Sequence, residues 1–328
     1  MTPRTADRLL AYAPILAIAA LLALTPLATS ANTVLNAMVL ALLIALAGQG
    51  WNILGGYGGQ FSFGHAAFFG TGAYGTAILQ ARYGVNAYVA FAAAAGIGAA
   101  VGAVIGFLSF RSGLRGSYFA LVTLAFAEVF RIVANASPFT GGAAGTLLQL
   151  NVRPGNFQFA SRATFFWIAL GLVTLVLLVT RALERSRFGT YLVAIRENEN
   201  AAKALGIDTL KVKLQAITLS AAITAAAGAF YAQYFLFVDS HIAYGAAISV
   251  EALLAPIIGG LGTVYGPLVG ALALHGLAEG AKALTGRVPG LDVALYGSLL
   301  VLVIAFAPKG VQGLAARLGR GLSLRRAS

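Results

Sequence analysis

Few ionisable side chains lie within the apolar stretches of this 328-residue chain, and they stand far apart. Glu128 and Arg131 are three residues apart, a spacing that pairs them on one face of a helix. They fall towards the outer end of an apolar stretch, which favours a structural pair whose charges reach water over a proton relay. His65 and His275 each lack a carboxylate at ligand spacing. The sequence has no Ser–His–Asp, paired-carboxylate or His-x-x-x-His pattern, so it predicts neither an enzyme nor a metal site, and no cofactor.

The glycine-rich residues 55–79, GGYGGQFSFGHAAFFGTGAYGTAIL, do not form a phosphate-binding loop. A P-loop has the pattern Gly-x-x-x-x-Gly-Lys-Ser/Thr after a strand, and none of the five lysines follows a glycine. If ATP powers this chain, the sequence therefore places the nucleotide site on another polypeptide.

One long polar stretch interrupts the apolar sequence: residues 185–213, RSRFGTYLVAIRENENAAKALGIDTLKVK, hereafter the polar segment. Side chains recur at helical spacing over residues 191–206, and Gly206 stands where a helix commonly stops. Glu199 and Lys203 are four apart in the favourable order for an ion pair. The sequence predicts one short helix over residues 191–206, with an ordinary solvated loop as the alternative.

The predicted helix has a small-residue face that would let it dock closely into a groove of another protein. Gly189, which precedes it, is expected to turn the chain away from the preceding apolar helix. The residues of the predicted face are Ala194, Ala201, Ala202 and Leu205.

The composition predicts a membrane protein. Charged residues make up only 10% of the chain and hydrophobic ones 59%, whereas a soluble domain has about a quarter charged residues. The net charge is +12, but the basic residues cluster in loops and tails without interleaved aromatics. This distribution is typical of the positive-inside signal of membrane topology and disfavours nucleic-acid binding. The absence of cysteine excludes disulfides and thiolate metal sites.

A helix needs about 20 apolar residues to cross the hydrocarbon core, and the chain has such stretches for about ten crossings. Two regions, 61–80 and 250–282, are apolar but cut by Gly and Pro, and the second allows two short passes that meet near residues 259–262. The fold class predicted is an all-α polytopic membrane protein with some short or broken helices. The continuous candidates are residues 10–28, 34–54, 87–110, 118–134, 164–180, 214–238 and 291–307.

The Lys and Arg distribution orients these crossings. Basic residues precede the first segment, fill the polar segment and end the chain, whereas the loops at 29–33 and 238–249 carry none. An even number of crossings then places both termini and the polar segment in the cytoplasm. Small residues after the first segment would also suit signal-peptide cleavage, but its apolar run is long for that role, which favours a retained anchor.

The two interrupted regions, one in each half of the chain, predict a translocation path. Small residues also let helices pack closely, so tight packing without a path role is the alternative. The residues with candidate path or packing roles are Ser62, Gly64, His65, Gly72, Tyr74, Gly259, Gly260 and Gly262.

Three blocks of sequence resemble the branched-chain amino-acid ABC transporter permeases of the LivM type. They are the polar segment, residues 59–77 (GQFSFGHAAFFGTGAYGTA) and residues 257–271 (IIGGLGTVYGPLVGA). The polar segment is similar to the coupling loop of importer-type ABC permeases, whose pattern is Glu-Ala-Ala, three residues, then Gly. Asn200 replaces the Glu here. The resemblance implies that residues 181–213 are a cytoplasmic coupling loop, with these ATPase-coupling residues: Arg196, Glu197, Glu199, Asn200, Ala201, Ala202, Leu205 and Gly206.

The resemblance further implies one transmembrane permease domain over residues 1–328, with the importer-type ABC permease fold, in the inner membrane of a bacterial cell. Residues 1–9 and 309–328 would be its cytoplasmic ends. The implied partners are a second, related permease of the LivH type, two cytoplasmic ATPase subunits and an extracytoplasmic substrate-binding protein. Leucine, isoleucine and valine are the implied cargo, with urea or short amides as the alternative.

Two other classes of protein compete with this interpretation. An ion-coupled secondary transporter would need a buried carboxylate, for which Glu128, Glu251 and Glu279 are the candidates. A membrane scaffold would not need two broken helices.

Overall fold

A computed structural model describes residues 11–29 and 31–285, together with residues 291, 294, 295, 297, 298 and 301. This described part is almost entirely helical, apart from one antiparallel pair of two-residue strands, β1 (Thr146–Leu147) and β2 (Phe237–Val238). The α-helices are α1 (Ala13–Ala23), α2 (Thr25–Ala28), α3 (Asn32–Trp51), α4 (His65–Ala81), α5 (Ala87–Arg111), α6 (Gly116–Ala136), α7 (Arg162–Glu184), α8 (Arg187–Glu197), α9 (Glu199–Ala204), α10 (Thr209–Phe235), α11 (Ser240–Ala243), α12 (Ala246–Gly259) and α13 (Gly266–Thr285).

Six helical stretches of the described chain are long and apolar enough to cross a membrane, and each overlaps a predicted segment. The predicted total of about ten crossings stays a prediction. The predicted segment 291–307 lies largely outside the described residues, and residues 1–9 and 309–328 lie wholly outside them. The six stretches are Asn32–Tyr57, Ala87–Arg111, Gly116–Ala136, Arg162–Glu184, Thr209–Phe235 and Ser240–Gly259.

The loops gather at two ends of the bundle. At one end, hereafter the polar-segment end, Arg196 of the polar segment contacts Gly56, and Arg115 contacts Glu199. At the opposite end β1 pairs with β2, and Arg82 donates a hydrogen bond to the carbonyl oxygen of Pro138 at 2.6 Å. Consecutive long helices therefore run between the same two ends.

Several helices begin at side-chain caps, which satisfy backbone N–H groups that have no partner within the helix. Asn86 caps α5, Ser161 caps α7, and Asp208 caps α10 by accepting a hydrogen bond from the backbone N–H of Lys211 at 3.0 Å. These polar residues mark the points where the chain enters the apolar layer.

Helix α10 is buried along most of its length, between α3, α4 and α5. A Cβ at Gly72 of α4 would lie 1.9 Å from the carbonyl oxygen of Ala225, and one at Gly228 of α10 would lie 1.9 Å from that of Phe69. Close backbone approach of this kind is a main source of helix association in lipid. These two glycines therefore set the spacing between α4 and α10.

Two helical interruptions face each other at the polar-segment end. After α3 the chain forms a π-helical turn, Asn52–Tyr57, and α12 stops before α13 begins at Gly266. Gly260 and Gly262 have φ of 141° and 67°, which L side chains rarely adopt. The predicted break near residues 259–262 is confirmed, but the other region predicted to be interrupted, 61–80, forms the continuous helix α4 from His65, and the interruption lies before it at Asn52–Tyr57.

The predicted single helix over residues 191–206 is wrong. The segment forms two helices, α8 and α9, because Asn198 is extended (φ −159°, ψ 103°) and its side chain accepts hydrogen bonds from the N–H groups of Asn200 and Ala201, both at 3.0 Å. Gly189 is not a break either: it lies inside α8, where a Cβ would come within 2.1 Å of the carbonyl oxygen of Leu183. The turn falls instead at Arg185 and Ser186, between α7 and α8.

Candidate functional site

Arg196, near the end of α8, fastens the polar segment to the π-helical turn. Its Nη1 donates a hydrogen bond of 2.9 Å to the carbonyl oxygen of Gly56. Gly59 (φ 67°) lies against the same side chain, and a Cβ there would be 2.6 Å from Cγ of Arg196. Tyr57 adds a second attachment, since its hydroxyl donates to Glu184 at the end of α7 at 2.6 Å. The π-helical turn is therefore bonded both to the polar segment, through Arg196, and to the end of α7 that precedes it, through Glu184.

The π-helical turn is in turn bonded to the loop between α12 and α13. The Asn52 amide donates to the carbonyl oxygen of Thr263 at 2.9 Å and accepts from the backbone N–H of Gly262 at 2.9 Å. The Gln49 amide donates to the carbonyl oxygen of Val264 at 2.6 Å. A continuous set of hydrogen bonds thus joins Arg196, the first helical interruption and the second.

Glu199, the first residue of α9, is the centre of an ion cluster. Its carboxylate accepts from Lys213 Nζ at 3.0 Å and from the Thr209 hydroxyl at 3.3 Å, both on α10. Arg115 Nε lies 3.2 Å from the other oxygen, and Lys203 Nζ lies 3.4 Å away, which confirms the predicted pair within α9. Lys213 is only 3% exposed. One carboxylate therefore ties α9 to α10 and to the loop after α5.

Glu199 is expected to make the attachment of α9 sensitive to acid. Burial acts to raise the pKa of its carboxyl group, but the hydrogen bond and charge of Lys213, with the charges of Arg115 and Lys203, outweigh it and hold the pKa below its ordinary value of 4.5. Such a group stabilises the folded state above its ordinary pKa, and the contribution is lost as the pH falls through the lowered value. Hydrogen exchange in residues 199–204, corrected for intrinsic rates, should be constant from pH 7 to about 5 and faster below about pH 4.

The Glu199→Gln variant is the comparison for this measurement, because it has no carboxyl group to protonate at this position. Its corrected exchange rate should not change over the same interval. If exchange became faster in acid by the same factor in both proteins, the effect would have to come from a titratable group other than Glu199.

The outer surface of α9 differs from the predicted small-residue face. Ala201 is exposed and Leu205 is 82% exposed, but Ala202 is only 2% exposed and packs into the bundle. Ala194 is half-buried. Gly206 has φ 84° and ends the helix as expected. Of the four predicted face residues, only Ala201 and Leu205 lie fully on the surface of the described chain.

Two further polar coupling candidates, Glu197 and Asn200, also lie on this surface. Glu197 is exposed and pairs with Arg196 at 2.8 Å. Asn200 is exposed and accepts a hydrogen bond from Arg115 at 3.4 Å. Both side chains are available to a partner without rearrangement of the helices.

His65 bridges two helices in the interior. The ring is fully buried; Nδ1 lies 3.1 Å from the Ser62 hydroxyl and Nε2 lies 2.8 Å from the Ser220 hydroxyl of α10. The Trp51 indole donates to the carbonyl oxygen of Ser62 at 2.7 Å. A neutral imidazole has one donor and one acceptor nitrogen, and a hydroxyl serves either, so this histidine is satisfied without a carboxylate. The arrangement locks α4 to α10.

The glycine candidates are points of close packing within this chain. A Cβ at Gly64 would meet the carbonyl oxygen of Thr123 at 2.0 Å, and one at Gly259 would meet that of Gly266 at 1.8 Å. Tyr74 stacks on Tyr244 with ring centres 5.6 Å apart. Its hydroxyl is buried and has no hydrogen-bond partner among the described residues.

Replacing Gly72 by valine should destabilise the bundle severely. The new Cβ would overlap the backbone of α10 at Ala225, which cannot move without parting the two helices. Overpacking of this kind costs about 3 kcal/mol or more. Thermal unfolding in detergent would show it as a large fall in Tm or as loss of folded protein.

Gly96→Val is the matched control, because Gly96 lies inside α5, is exposed, and has no atom within 4 Å of a built Cβ. It should leave the Tm nearly unchanged. Equal stability of the two valine variants would contradict the close contact between α4 and α10.

Of the remaining ionisable candidates, Glu128, Glu279 and His275 have structural partners, and Glu279 accepts a hydrogen bond from Lys282 at 2.7 Å. Arg131 Nε donates to Glu128 at 2.9 Å, which confirms that pair, and Arg131 also lies 3.2 Å from His241 Nδ1. His275 Nδ1 lies 3.2 Å from the carbonyl oxygen of Ala271. The described residues contain no group of three His, Cys, Asp or Glu side chains that could hold a metal ion.

Sequence reasoning missed four residues of this site. Gln49 and Asn52 stand inside a long apolar helical stretch, and Lys213 is a lysine in the first turns of a spanning helix. A polar group in such a place is costly unless it has a partner, which is the signal that could have singled them out. Arg115 gave no signal beyond its charge.

Apolar spanning helices, interrupted at the end where a short polar helical segment is bonded to them, define a multi-pass membrane protein of the permease class. The chain belongs to the family of permease components of branched-chain amino acid transport systems, whose model matches residues 33–304. The predicted resemblance is confirmed.

Curated relatives agree with this family. The chain is 31% identical over 310 residues to the high-affinity branched-chain amino acid transport system permease protein LivM of Escherichia coli K12, covering 87% of this chain and 71% of that protein. It is 26% identical to the permease protein BraD of Pseudomonas aeruginosa, covering 85% and 94%. Over 147 residues it is 31% identical to LivH of Escherichia coli K12, covering 45% and 46%. No solved structure matches the chain.

Proposed function

We propose that this chain is one of the two permease subunits of an ATP-driven importer for branched-chain amino acids. The observation that carries the proposal is the match to LivM, which extends over 87% of the chain and includes the polar segment. The chain has no nucleotide-binding motif of its own, so ATP hydrolysis belongs to separate ATPase subunits. An extracytoplasmic binding protein delivers leucine, isoleucine or valine.

An ATPase subunit binds the polar segment. Ala201 and Leu205 offer an apolar surface on α9, and the exposed Glu197 and Asn200 surround it with polar groups. A small apolar centre with a polar rim is the usual composition of a docking site. The ATPase contacts these exposed side chains, while Ala202 and Glu199 hold α9 to the permease from its inner side.

Movement of the docked ATPase reaches the interior through two attachments. The Glu199–Lys213 pair moves α10, and the Arg196–Gly56 bond moves the π-helical turn, which Asn52 joins to the loop between α12 and α13. Interrupted helices of this kind are where transporters place their substrate path. The two interruptions therefore open and close together when the polar segment is displaced.

The path residues proposed here extend from the second interruption, at residues 259–262, along α4 to Tyr74, which stacks on Tyr244 towards the opposite end. Ser62, His65 and Tyr74 supply polar atoms, and the glycines at 64, 72, 259, 260 and 262 bring the backbones close enough to define the path. Similarity to LivH over 45% of the chain supports a related permease as the other half of the pore. Both subunits cross the inner membrane of a bacterial cell. About ten crossings, some of them short, would put the polar segment and both termini of this chain in the cytoplasm.

Co-purification from the native membrane tests the assignment. The tagged full-length chain should capture an ATPase with a Walker motif and a second permease, and the assembled complex should import leucine only with ATP and the binding protein. Uptake by this chain alone in liposomes, driven by an ion gradient without ATP, would instead identify a secondary transporter. Import of urea rather than leucine by the complex would support the permease role but contradict the proposed branched-chain amino acid cargo.

A further inference from the structure

A second site lies at the polar-segment end, beside the ion cluster of Glu199. A cavity of about 370 Å³, hereafter the cationic pocket, is bordered by Arg111, Lys203 and Lys213. Two carboxylates, Glu199 and Asp208, also border it.

The charges around the cationic pocket do not balance. Glu199 is shared by three cations, Arg115, Lys203 and Lys213, within 3.4 Å. Asp208 is engaged with the backbone of α10, whose first turn it caps. With Arg111, four cations face two carboxylates among the described side chains. Cations gathered in a cavity repel one another, and a bound anion relieves that repulsion.

An apolar groove continues from the cationic pocket along the outer face of α10. It has a volume of about 560 Å³, lies between α5 and α10, and shares Asp208 and Leu210 with the pocket. Farther from the pocket, its walls include Ala99, Leu214 and Ala222. From Leu210 to Ala222 the groove follows α10 for about 18 Å, close to half of the hydrocarbon core of about 30 Å.

We propose that the cationic pocket and this groove together form a binding site for an anionic phospholipid. The phosphate lies among Arg111, Lys203 and Lys213, and one acyl chain lies in the α5–α10 groove. Charge and geometry both favour this occupant. The cations lie at the end of spanning helices, where lipid headgroups lie, and the length of the groove along α10 is close to the thickness of one leaflet. The lipid would then contact Lys203 and Lys213, which pair with Glu199, and so affect the attachment of α9 to the bundle.

The site can be tested by measuring which lipids the protein retains. The full-length chain, with whatever subunits co-purify, is reconstituted in equal amounts of phosphatidylcholine and phosphatidylglycerol, extracted with mild detergent, and analysed for bound lipid by mass spectrometry. Phosphatidylglycerol should be enriched over phosphatidylcholine. The Arg111→Gln and Lys203→Gln substitutions should each lower this enrichment about fivefold.

Two further variants separate the lipid from other occupants. Ala222→Trp fills the groove, so it should reduce retained phosphatidylglycerol and leave binding of the soluble headgroup glycerophosphoglycerol unchanged. Arg153→Gln, exposed on the loop at the opposite end, should change neither. If Ala222→Trp has no effect and the soluble headgroup displaces all bound phosphatidylglycerol, the site takes a free phosphate compound and the lipid proposal is wrong.

An unchanged lipid ratio in the Arg111→Gln/Lys203→Gln double variant would also overturn the proposal. The chain has no cysteine, so Lys203→Cys introduces one thiol for cross-linking. Quantitative capture of an ATPase subunit at that position, with no enrichment of phosphatidylglycerol, would assign the cationic pocket to the protein partner instead.

Discussion

The Glu199→Gln variant is expected to release α9 from the bundle and to uncouple ATP hydrolysis from transport. Lys213 would remain buried with its hydrogen-bonding carboxylate gone and with Arg115 and Lys203 nearby. Removing one member of a buried ion pair costs about 3–5 kcal/mol, because the other charge is left without compensation. Hydrogen exchange in residues 199–204 should be much faster, and the complex should hydrolyse more ATP for each leucine imported.

Two variants make this result specific to the buried pair. Glu197→Gln makes the same chemical change two residues away on an exposed side chain that does not pair with Lys213, so it should leave hydrogen exchange in residues 199–204 unchanged. Glu199→Gln/Lys213→Met removes both charges and should restore much of the lost protection, since a neutral buried pair carries no uncompensated charge. Equal effects of Glu197→Gln and Glu199→Gln would show that the ion cluster does not hold α9.

Ala201→Arg is expected to reduce ATPase capture at least about tenfold, equivalent to about 1.4 kcal/mol, while leaving the permease folded. Ala201 is exposed, so a long charged side chain there meets nothing in this chain but obstructs a closely docked partner. Ala202→Arg should behave differently, because Ala202 is 2% exposed and an arginine there would displace the packing of α9 itself. Quantitative co-purification and Tm measure the two effects separately.

Ala160→Arg, exposed on the loop at the opposite end, is the matched control for an added arginine. It should alter neither ATPase capture nor Tm. Undiminished ATPase capture by the Ala201→Arg variant would show that α9 is not part of the docking surface. Loss of ATPase capture by the Ala160→Arg variant would show a general effect of added charge.

The spanning segments were predictable because they depend on composition alone. The lipid hydrocarbon favours apolar side chains and offers no hydrogen-bond partner to the backbone. Each long span is therefore a helix visible as a continuous apolar stretch of sequence. The break between α12 and α13 was predictable for a related reason. Gly260 and Gly262 allow backbone angles that other residues resist, and they are close together in the chain.

The polar segment was predicted less well, because continuing one helix through it competes with starting a new helix at a side-chain cap. Helical spacing over residues 191–206 favoured one helix, but the Asn198 side chain caps α9 and separates it from α8. The spacing of small residues also does not distinguish the side of a short helix that faces a partner from the side that faces its own bundle. Ala201 and Ala202 are adjacent in sequence and have opposite roles in the structure.

The sequence by itself determined that this protein is helical, lies in a membrane, belongs among the LivM-type permeases and has no nucleotide motif. Only the tertiary structure decided which polar groups meet. Asn52 bonds with Gly262 across 210 residues, Arg196 with Gly56 across 140, and Glu199 with Lys213 on another helix. Contacts at such separations depend on how the helices pack, and that packing is set by glycines such as Gly72 and Gly228, whose effect exists only where two backbones meet.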